Sequence, residues 1–280
     1  MTISKYSFPS ELIATIDYNF EDIIEKFVQS KHQIINLDVE PKDTCVLSSG
    51  NLLIASRSSK NLKIYDDTFK IIKTIDRINN QNFTPLSITT NGRNYIYIAD
   101  EQLDRILQTD LDFKLIHSYG TRGSENNQLC SPLDIIFDKN SIYICDTQNR
   151  RIQKLSEDLI YKKTYQLNFK PWKIKILKNI ACIRPTGESF LSFYNLNPFY
   201  LKAKVCDGNG DIISINSWFY EYDHSSHLLR CYDLNGELMK ETFLKFENRN
   251  LSSSQESMYW INCFNRQIII GLTQSKQLIF

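Results

Sequence analysis

The stretch that decides the fold is SPLDIIFDKNSIYICDTQNRRIQKL, residues 131–155. It predicts a strand that opens on Pro132, a second strand that ends at Asp146, and a third strand that begins near Arg151. β-Branched and aromatic residues fill the apolar runs, and the short polar segments between them have the composition of turns. The stretch therefore predicts three antiparallel strands of one small sheet.

Weaker copies of this unit recur on both sides of it. Prolines at positions 41, 85, 132 and 171 open successive units, and a second strand is predicted to end at Ser56, Asp100, Asp146 and Arg184. A fifth unit without the proline places Asp223 at that point, and a sixth ends the chain in RQIIIGLTQSKQLIF. A period of about 40–50 residues with several strands per repeat is typical of a β-propeller.

The predicted fold class is all-β: a six-bladed β-propeller closed by pairing of the N- and C-terminal strands, with a short N-terminal helix. The last unit stops after its third strand, while QIINLDV, residues 33–39, is a strand without a unit of its own. Pairing the two supplies the missing outer strand. Closure also removes an exposed sheet edge, which is a physical reason for such an arrangement.

The N-terminal residues carry a helical pattern instead of a strand pattern. Ile13, Ile16, Phe20, Ile23 and Phe27 are spaced three and four residues apart. The predicted domains are therefore an amphipathic helical segment, residues 1–30, and a propeller, residues 31–280. The segment is either the tail of a coiled coil or one helix docked on the propeller; the second is favoured because two heptads are short for a coiled coil.

Composition limits the classes of function. The formal net charge of +1 argues against a surface built throughout for nucleic acid or an anionic membrane. The seven cysteines form no CxxC pair, and no apolar stretch is long enough to span a membrane. No signal peptide pattern is present. We expect a cytoplasmic protein with reduced cysteines and no cofactor.

DTQNRRIQKL after IYIC resembles the NHL repeat, whose signature is an apolar strand, Asp, a short turn ending in Asn, then Arg and an apolar residue. PLSITTNGRNYIYIADEQLDRI, residues 85–106, is similar to a looser copy. The resemblance implies a propeller like the one that ends tripartite-motif NHL proteins, where it recognises RNA or protein. The RING and B-box modules of those proteins have no counterpart here, so the resemblance does not extend to ubiquitin-ligase activity.

Two sets of side chains stand out. Carboxylates at strand ends are expected to hold turns by accepting backbone N–H bonds and pairing with arginines, instead of acting in catalysis. The predicted structural turn residues are Asp100, Arg105, Asp146, Asn149, Arg151 and Asp223. Turns and interblade linkers are expected to share one face, which predicts a partner-binding rim of Arg57, Lys60, Arg122, Arg150, Phe169, Lys170, Trp172 and Arg184.

Basic and acidic residues are unevenly distributed along the chain. Residues 147–178 contain nine Lys or Arg against Glu157 and Asp158, whereas residues 207–245 contain seven acids against three bases. This pattern predicts a positive sector of the ring beside a negative one. The function expected from this surface is non-enzymatic binding of a protein partner, with single-stranded RNA as the alternative ligand of the same rim.

A metal-dependent lyase- or lactonase-like propeller is a weaker alternative. His224 and His227 flank a turn beside Asp223, but a loop offers no rigid frame and no fourth ligand is evident. No P-loop, GxGxxG or ordered catalytic triad is present, so neither an enzyme nor a metal site is predicted.

Overall fold

A computed structural model describes residues 34–206, 210–215, 217–223, 226, 228–243, 259–264, 267–272 and 277–279. For residues 34–36, 259–264, 267–272 and 277–279 it describes the backbone alone. The predicted N-terminal helical segment, and with it the domain boundary at residue 30, lies outside these residues. No helix long and apolar enough to cross a membrane occurs in the described part of the chain.

Five consecutive stretches each form one four-stranded antiparallel sheet, which we call blades 1 to 5. In every blade the strands pair in chain order, from an inner strand to an outer one. The strands are, in blade 1, β2 Asp43–Val46, β3 Leu52–Ser56, β4 Asn61–Tyr65 and β5 Ile71–Ile75; in blade 2, β6 Pro85–Thr90, β7 Ile96–Asp100, β8 Arg105–Thr109 and β9 Leu115–Tyr119; in blade 3, β10 Pro132–Asp138, β11 Ser141–Asp146, β12 Arg151–Ser156 and β13 Tyr161–Gln166; in blade 4, β14 Pro171–Leu177, β15 Ile180–Pro185, β16 Phe190–Leu196 and β17 Phe199–Cys206; in blade 5, β18 Asp211–Ile215, β19 Trp218–Asp223, β20 Leu228–Tyr232 and β21 Leu238–Phe243.

The two ends of the described chain form a further four-stranded sheet, which we call the terminal sheet. Its strand order is β1–β24–β23–β22, with Ile34 opposite Ile279. The strands are β1 Ile34–Asn36, β22 Tyr259–Phe264, β23 Gln267–Leu272 and β24 Gln277–Ile279. β22 lies beside both β18 of blade 5 and β2 of blade 1, so the inner strands follow one another around a common axis.

This arrangement corrects the predicted fold class. The prediction was a six-bladed propeller with an N-terminal helix, whereas the structure describes five blades that are complete within one continuous stretch each, and no helix among the described residues. The terminal sheet is counted separately because it draws its strands from both chain ends and only its backbone is described. The all-β prediction is confirmed for the described residues.

Burial is greatest in the second strand of a blade, lower in the innermost strand and lowest in the outer strand. The second strand of each blade is buried along its whole length in blades 1 to 4, because a neighbouring blade covers each of its faces. The cores lie between blades, as in the cluster that joins Tyr143 and Tyr165 of blade 3 to Phe190 and Tyr194 of blade 4. Outer strands such as β5 and β21 are mostly exposed. Continuous apolar runs such as IYIAD therefore mark second strands.

Tight turns repeat from blade to blade. The turn between the second and third strands ends in a left-handed residue in blades 1, 2 and 3, at Lys60, Asp104 and Arg150. The next turn along the chain uses one side-chain oxygen to accept backbone N–H bonds; Asp66, for example, accepts from the amides of Thr68 and Lys70. The repeated geometry gives successive blades the same orientation of their turns.

Candidate functional site

Asp146 holds the turn and the interblade linker of blade 3 together. Its carboxylate is fully buried and accepts from Cys130 N at 2.7 Å and from Arg151 Nε at 2.6 Å. Asn149 Nδ2 donates to it from within the turn, and also to Gly123 O in the linker. Each buried oxygen thus has charge-assisted partners, which is the arrangement that makes a buried ion pair tolerable. The contacts match the structural role predicted for this residue.

A buried acid that accepts from a linker amide and pairs with an arginine also occurs in blade 2 and, in a modified form, in blade 5. Asp100 accepts from Thr84 N at 3.0 Å and from Arg105 Nε at 2.9 Å. In blade 5 the linker amide of Gly210 donates to Glu221 at 2.7 Å, and Arg230 lies 3.4 Å from the same carboxylate. The predicted residue Asp223 instead accepts from Ser226 Oγ within the turn. In blade 5 the carboxylate that binds the linker therefore belongs to Glu221, which was not among the residues predicted from the sequence.

The turns between second and third strands and the linkers between blades lie on one face, which we call the top face. In blades 2, 3 and 4 a backbone hydrogen bond connects the turn to a linker: Glu101 N donates to Thr84 O, Leu167 N to Arg150 O, and Thr186 N to Lys170 O. Each bond restrains the loops that it joins. In these three blades the top face is thus a hydrogen-bonded surface.

The predicted cations of the rim divide into two groups on this face. Arg57 makes a two-point ion pair with Glu101 at 2.6 and 2.8 Å, and Arg122, with 83% of its side chain exposed, has Nε 4.0 Å from Asp104. Lys60 and Arg150 are exposed, Lys170 is partly exposed, and no ion pair among the described residues involves any of the three. These three carry the net positive charge of the rim.

The predicted aromatic residues are not open stacking platforms. Phe169 is only 5% exposed and packs edge-on against Phe190 at 5.3 Å, so it belongs to the core between blades 3 and 4. Trp172 is partly exposed, but Arg184 lies 4.3 Å and Lys42 5.8 Å from its ring centroid. Cations over an indole are attracted by its electron-rich face. Arg184, predicted on the rim, is itself buried.

Buried polar side chains meet on the inner strands, and we call them the axial cluster: Asp43, Ser87, Asp134, Lys173 and Asp211. Ser87 Oγ lies 2.7 Å from Asp43 Oδ2 and 2.8 Å from Asp134 Oδ1. The second oxygen of Asp134 accepts from the amide of Ile174 in the next blade at 2.8 Å. The cluster therefore ties neighbouring inner strands to one another around the axis.

Burial and neighbouring charges shift the pKa values of the ionisable groups in and beside the axial cluster. Burial raises the pKa of Asp134, and the ammonium of Lys173, 3.9 Å from it, opposes the rise. Burial alone would lower the pKa of Lys173, but the carboxylates of Asp211, Asp134 and Asp43 outweigh it and raise that pKa. Burial lowers the pKa of Lys42, and the nearby charge of Lys173 adds to this.

A sequence signal for this cluster exists but was not used. Asp43, Ser87, Asp134 and Lys173 each stand two residues after the proline that opens their unit, at positions 41, 85, 132 and 171. The alignment of units on their prolines would have shown a polar residue at that place in an otherwise apolar strand. Such a residue is expected to find a partner when it is buried.

The charge runs seen in the sequence do not form simple sectors. Among the cations of residues 147–178, Arg151 is buried against Asp146, Lys173 lies at the axis, and Lys178 lies in an exposed turn at the opposite end of blade 4. In the acidic run, Asp211, Glu221 and Asp223 are buried, whereas Glu237 and Glu241 are exposed. The acids of the expected negative sector are thus divided between the interior and the surface. The turn histidines His224 and His227 lie outside the described residues, within which no cluster suited to a metal ion occurs.

Comparison with solved structures shows the fold. The chain is similar to a catalytically inactive virginiamycin B lyase from Staphylococcus aureus with quinupristin (TM-score 0.66, 12% identity, 89% of this chain and 98% of that one). It is also similar to hydrazine synthase of Kuenenia stuttgartiensis (TM-score 0.62, 11% identity, 88% and 78%) and to a chain of a nidogen/laminin complex (0.57, 16%, 72% and 80%). At these identities the similarity shows the β-propeller fold alone.

Sequence comparisons add no family. No protein-family model matches the chain, and no curated protein does.

Proposed function

We propose that this chain is a non-enzymatic binding module, an NHL-like propeller of the cytoplasm, that recognises a protein partner through its top face. The observation that carries the proposal is the hydrogen-bonded top face with Lys60, Arg150 and Lys170 outside any ion pair of the described residues. A surface whose loops are already fixed loses little conformational entropy on binding. Exposed cations on such a surface complement a partner that carries carboxylates.

The axial carboxylates support binding in preference to catalysis. Asp43 and Asp134 share the hydroxyl of Ser87, and each also accepts from a backbone amide of the next blade, Ile88 for Asp43 and Ile174 for Asp134. Groups engaged in this way hold the blades together. Among the similar structures, the nidogen/laminin complex contains a propeller with a protein partner, which fits the proposal, and the lyase is an enzyme on a similar fold.

The same geometry gives less support to RNA. Recognition of single-stranded RNA relies on aromatic faces on which bases stack. Phe169 is buried, and Trp172 carries the side chains of Arg184 and Lys42 over its ring. The cations of the top face therefore have no open aromatic surface beside them among these predicted residues.

Affinity capture from cell extract tests the proposal. We expect partners to be retained after nuclease treatment, and to be lost from a Lys60→Glu/Arg150→Glu variant. Lys70→Glu/Lys114→Glu is the matched control, because these exposed residues lie in turns at the opposite end of blades 1 and 2 and the change in net charge is the same. Capture that nuclease abolishes would favour RNA, and equal loss with both variants would contradict a role for the top face.

A further inference from the structure

The outer strands of blades 3 and 4 carry exposed lysines in a stretch of the chain that is poor in acids. Residues 162–206 contain nine Lys or Arg, and their only acid is Glu188. Four of the lysines lie on exposed outer strands, Lys162 and Lys163 on β13 and Lys202 and Lys204 on β17. Among the described residues none of these four takes part in an ion pair. The positive charge of these lysines is thus not neutralised by carboxylates of the described chain.

Several of these lysines are held in place by aromatic rings. Lys163 Nζ lies 4.9 Å from the ring centroid of Tyr165, and Lys204 Nζ lies 3.6 Å from that of Phe190. Both rings belong to the core between blades 3 and 4. The ring centroids of Tyr165 on β13 and Phe199 on β17 are 4.8 Å apart, so aromatic rings of the two outer strands are in contact. The ammonium groups are therefore positioned along the space between β13 and β17.

Two lysines lie directly opposite each other on neighbouring strands. Lys154 of β12 pairs in register with Lys163 of β13, and Lys154 Nζ lies 5.0 Å from the ring of Tyr143. Like charges at directly opposed positions of a sheet are destabilising. An anionic group placed between them would remove the repulsion, so this pair is an independent indication that the surface takes a negatively charged ligand.

On its outer side β17 pairs with no other strand among the described residues. It is the last strand in the order of blade 4, and with eight residues it is longer than the outer strands of the other four blades, which have five or six. Tyr200 and Leu201 on it are 48% and 49% exposed. A long edge strand with unpaired backbone groups can receive an additional strand from another chain.

We propose that an acidic, extended peptide segment of a partner protein adds to the edge of β17, with its carboxylates beside Lys163 and Lys204. This surface is separate from the top face and goes beyond the function proposed for it. The rings beneath the lysines do not serve as stacking platforms for RNA bases, because Tyr143 and Tyr165 are each only 4% exposed. Tyr200 is the exposed ring of this edge, and the oligouridine arm of the experiment below tests whether a base stacks on it. At a rise of about 3.3 Å per residue, the edge takes a peptide of about eight residues.

A fluorescein-labelled peptide of eight alternating Glu and Val residues, with its binding followed by fluorescence anisotropy, tests the proposal. We expect saturable binding that Lys163→Glu/Lys204→Glu weakens by about tenfold or more, and that Lys70→Glu/Lys114→Glu changes by less than about twofold. The same peptide with N-methylated alternate amides on the side that pairs with β17 should bind more weakly, because it lacks the backbone donors. A labelled oligouridine should not compete.

Three outcomes would overturn the proposal: no binding of the peptide, equal weakening by both double variants, or oligouridine binding that Lys163→Glu/Lys204→Glu removes. The two double variants distinguish this proposal from the one for the top face. If Lys163→Glu/Lys204→Glu loses the peptide while Lys60→Glu/Arg150→Glu retains it, the edge is a site of its own. If partner capture depends only on Lys60 and Arg150 and no peptide binds, the top-face proposal stands and the edge proposal is rejected.

Discussion

Glu221 and Arg230 make in blade 5 the ion pair that Asp146 and Arg151 make in blade 3. Both acids are fully buried and both accept from a linker amide, Gly210 N for Glu221 and Cys130 N for Asp146. In blade 3 the acid ends its strand, whereas Glu221 stands two residues before the end of β19. The longer side chain of glutamate reaches the linker from the earlier position. Blade 5 thus keeps both the ion pair and the hydrogen bond to the linker, with the acid two residues earlier in the strand.

A double-mutant cycle tests the equivalence of the two pairs. We expect Glu221→Gln and Arg230→Met to show a coupling of about 1–3 kcal/mol in the free energy of unfolding, since the pair is buried and hydrogen-bonded. Urea denaturation measures it. Glu237→Gln is the control because Glu237 is exposed, and it should change stability by less than about 0.5 kcal/mol. Additive effects of the two substitutions would show that Glu221 holds the linker without Arg230.

Asp146 should be among the costliest positions of the described chain to change. Asp146→Asn leaves the buried guanidinium of Arg151 without its carboxylate, and the one oxygen of the amide can accept from Cys130 N or from Arg151 Nε but not from both. We expect a loss of about 3–5 kcal/mol in the free energy of unfolding. Denaturant titration of Asp146→Asn beside Asp112→Asn, at an exposed position, checks it. A loss as small as that of the control would mean that neutral amide contacts suffice at this turn.

The axial cluster should make stability depend on pH through Asp134. Burial raises the pKa of Asp134 against the opposing charge of Lys173, so the folded chain holds this proton more tightly than the unfolded chain. Its contribution to stability is full below the unfolded-state pKa and is lost as the pH rises through the folded-state pKa. The stability of the wild type relative to Asp134→Asn should therefore increase as the pH falls from about 7 to about 4.

Thermal unfolding of the two proteins in parallel across that range measures the difference. The substitution keeps the shape of the side chain while removing the proton-binding group. A difference that is constant with pH, or that shrinks as the pH falls, would contradict the raised pKa.

The cysteines should differ sharply in reactivity. Cys206 is exposed at the end of β17, whereas Cys145 and Cys182 are buried, and burial raises the pKa of their thiols well above the ordinary range. Burial also raises the pKa of Cys231, to about 12. Among these four, a maleimide reagent should modify Cys206 alone in the folded protein, and all four after denaturation. Peptide mapping by mass spectrometry identifies the modified sites, and early modification of Cys145 would indicate opening of blade 3.

Much of the propeller can be predicted from sequence because its signals are local. The ends of the second strands at Ser56, Asp100, Asp146 and Asp223 were predicted correctly, and in blade 4 the strand runs one residue past Arg184 to Pro185. Apolar runs, turn residues and the spacing of the prolines depend only on neighbours along the chain. The role of Asp146 also follows from its own turn, since Asn149 and Arg151 lie within five residues of it.

The candidate sites were predicted less well because their contacts join distant parts of the chain. Phe169 was expected at the surface, but Phe190 of the same blade covers it. Arg57 was predicted as a partner-binding residue of the rim, but Glu101, 44 residues later, neutralises its charge. The pairing of the two chain ends, by contrast, was predicted from the incomplete last unit and the unassigned strand at residues 33–39, and it is confirmed by Ile34 opposite Ile279.

The amino-acid sequence by itself determined the strands, the repeat and the acid–arginine turns, because each arises from residues that are close along the chain. Only the tertiary structure decided which charges face solvent, since burial and pairing depend on the neighbouring blade. Asp146 shows the first case, because its role in holding the turn is predicted from the stretch DTQNRR alone. Arg57 shows the second: the carboxylate that pairs with it belongs to Glu101 in the turn of blade 2, so this ion pair exists only once blades 1 and 2 have packed together.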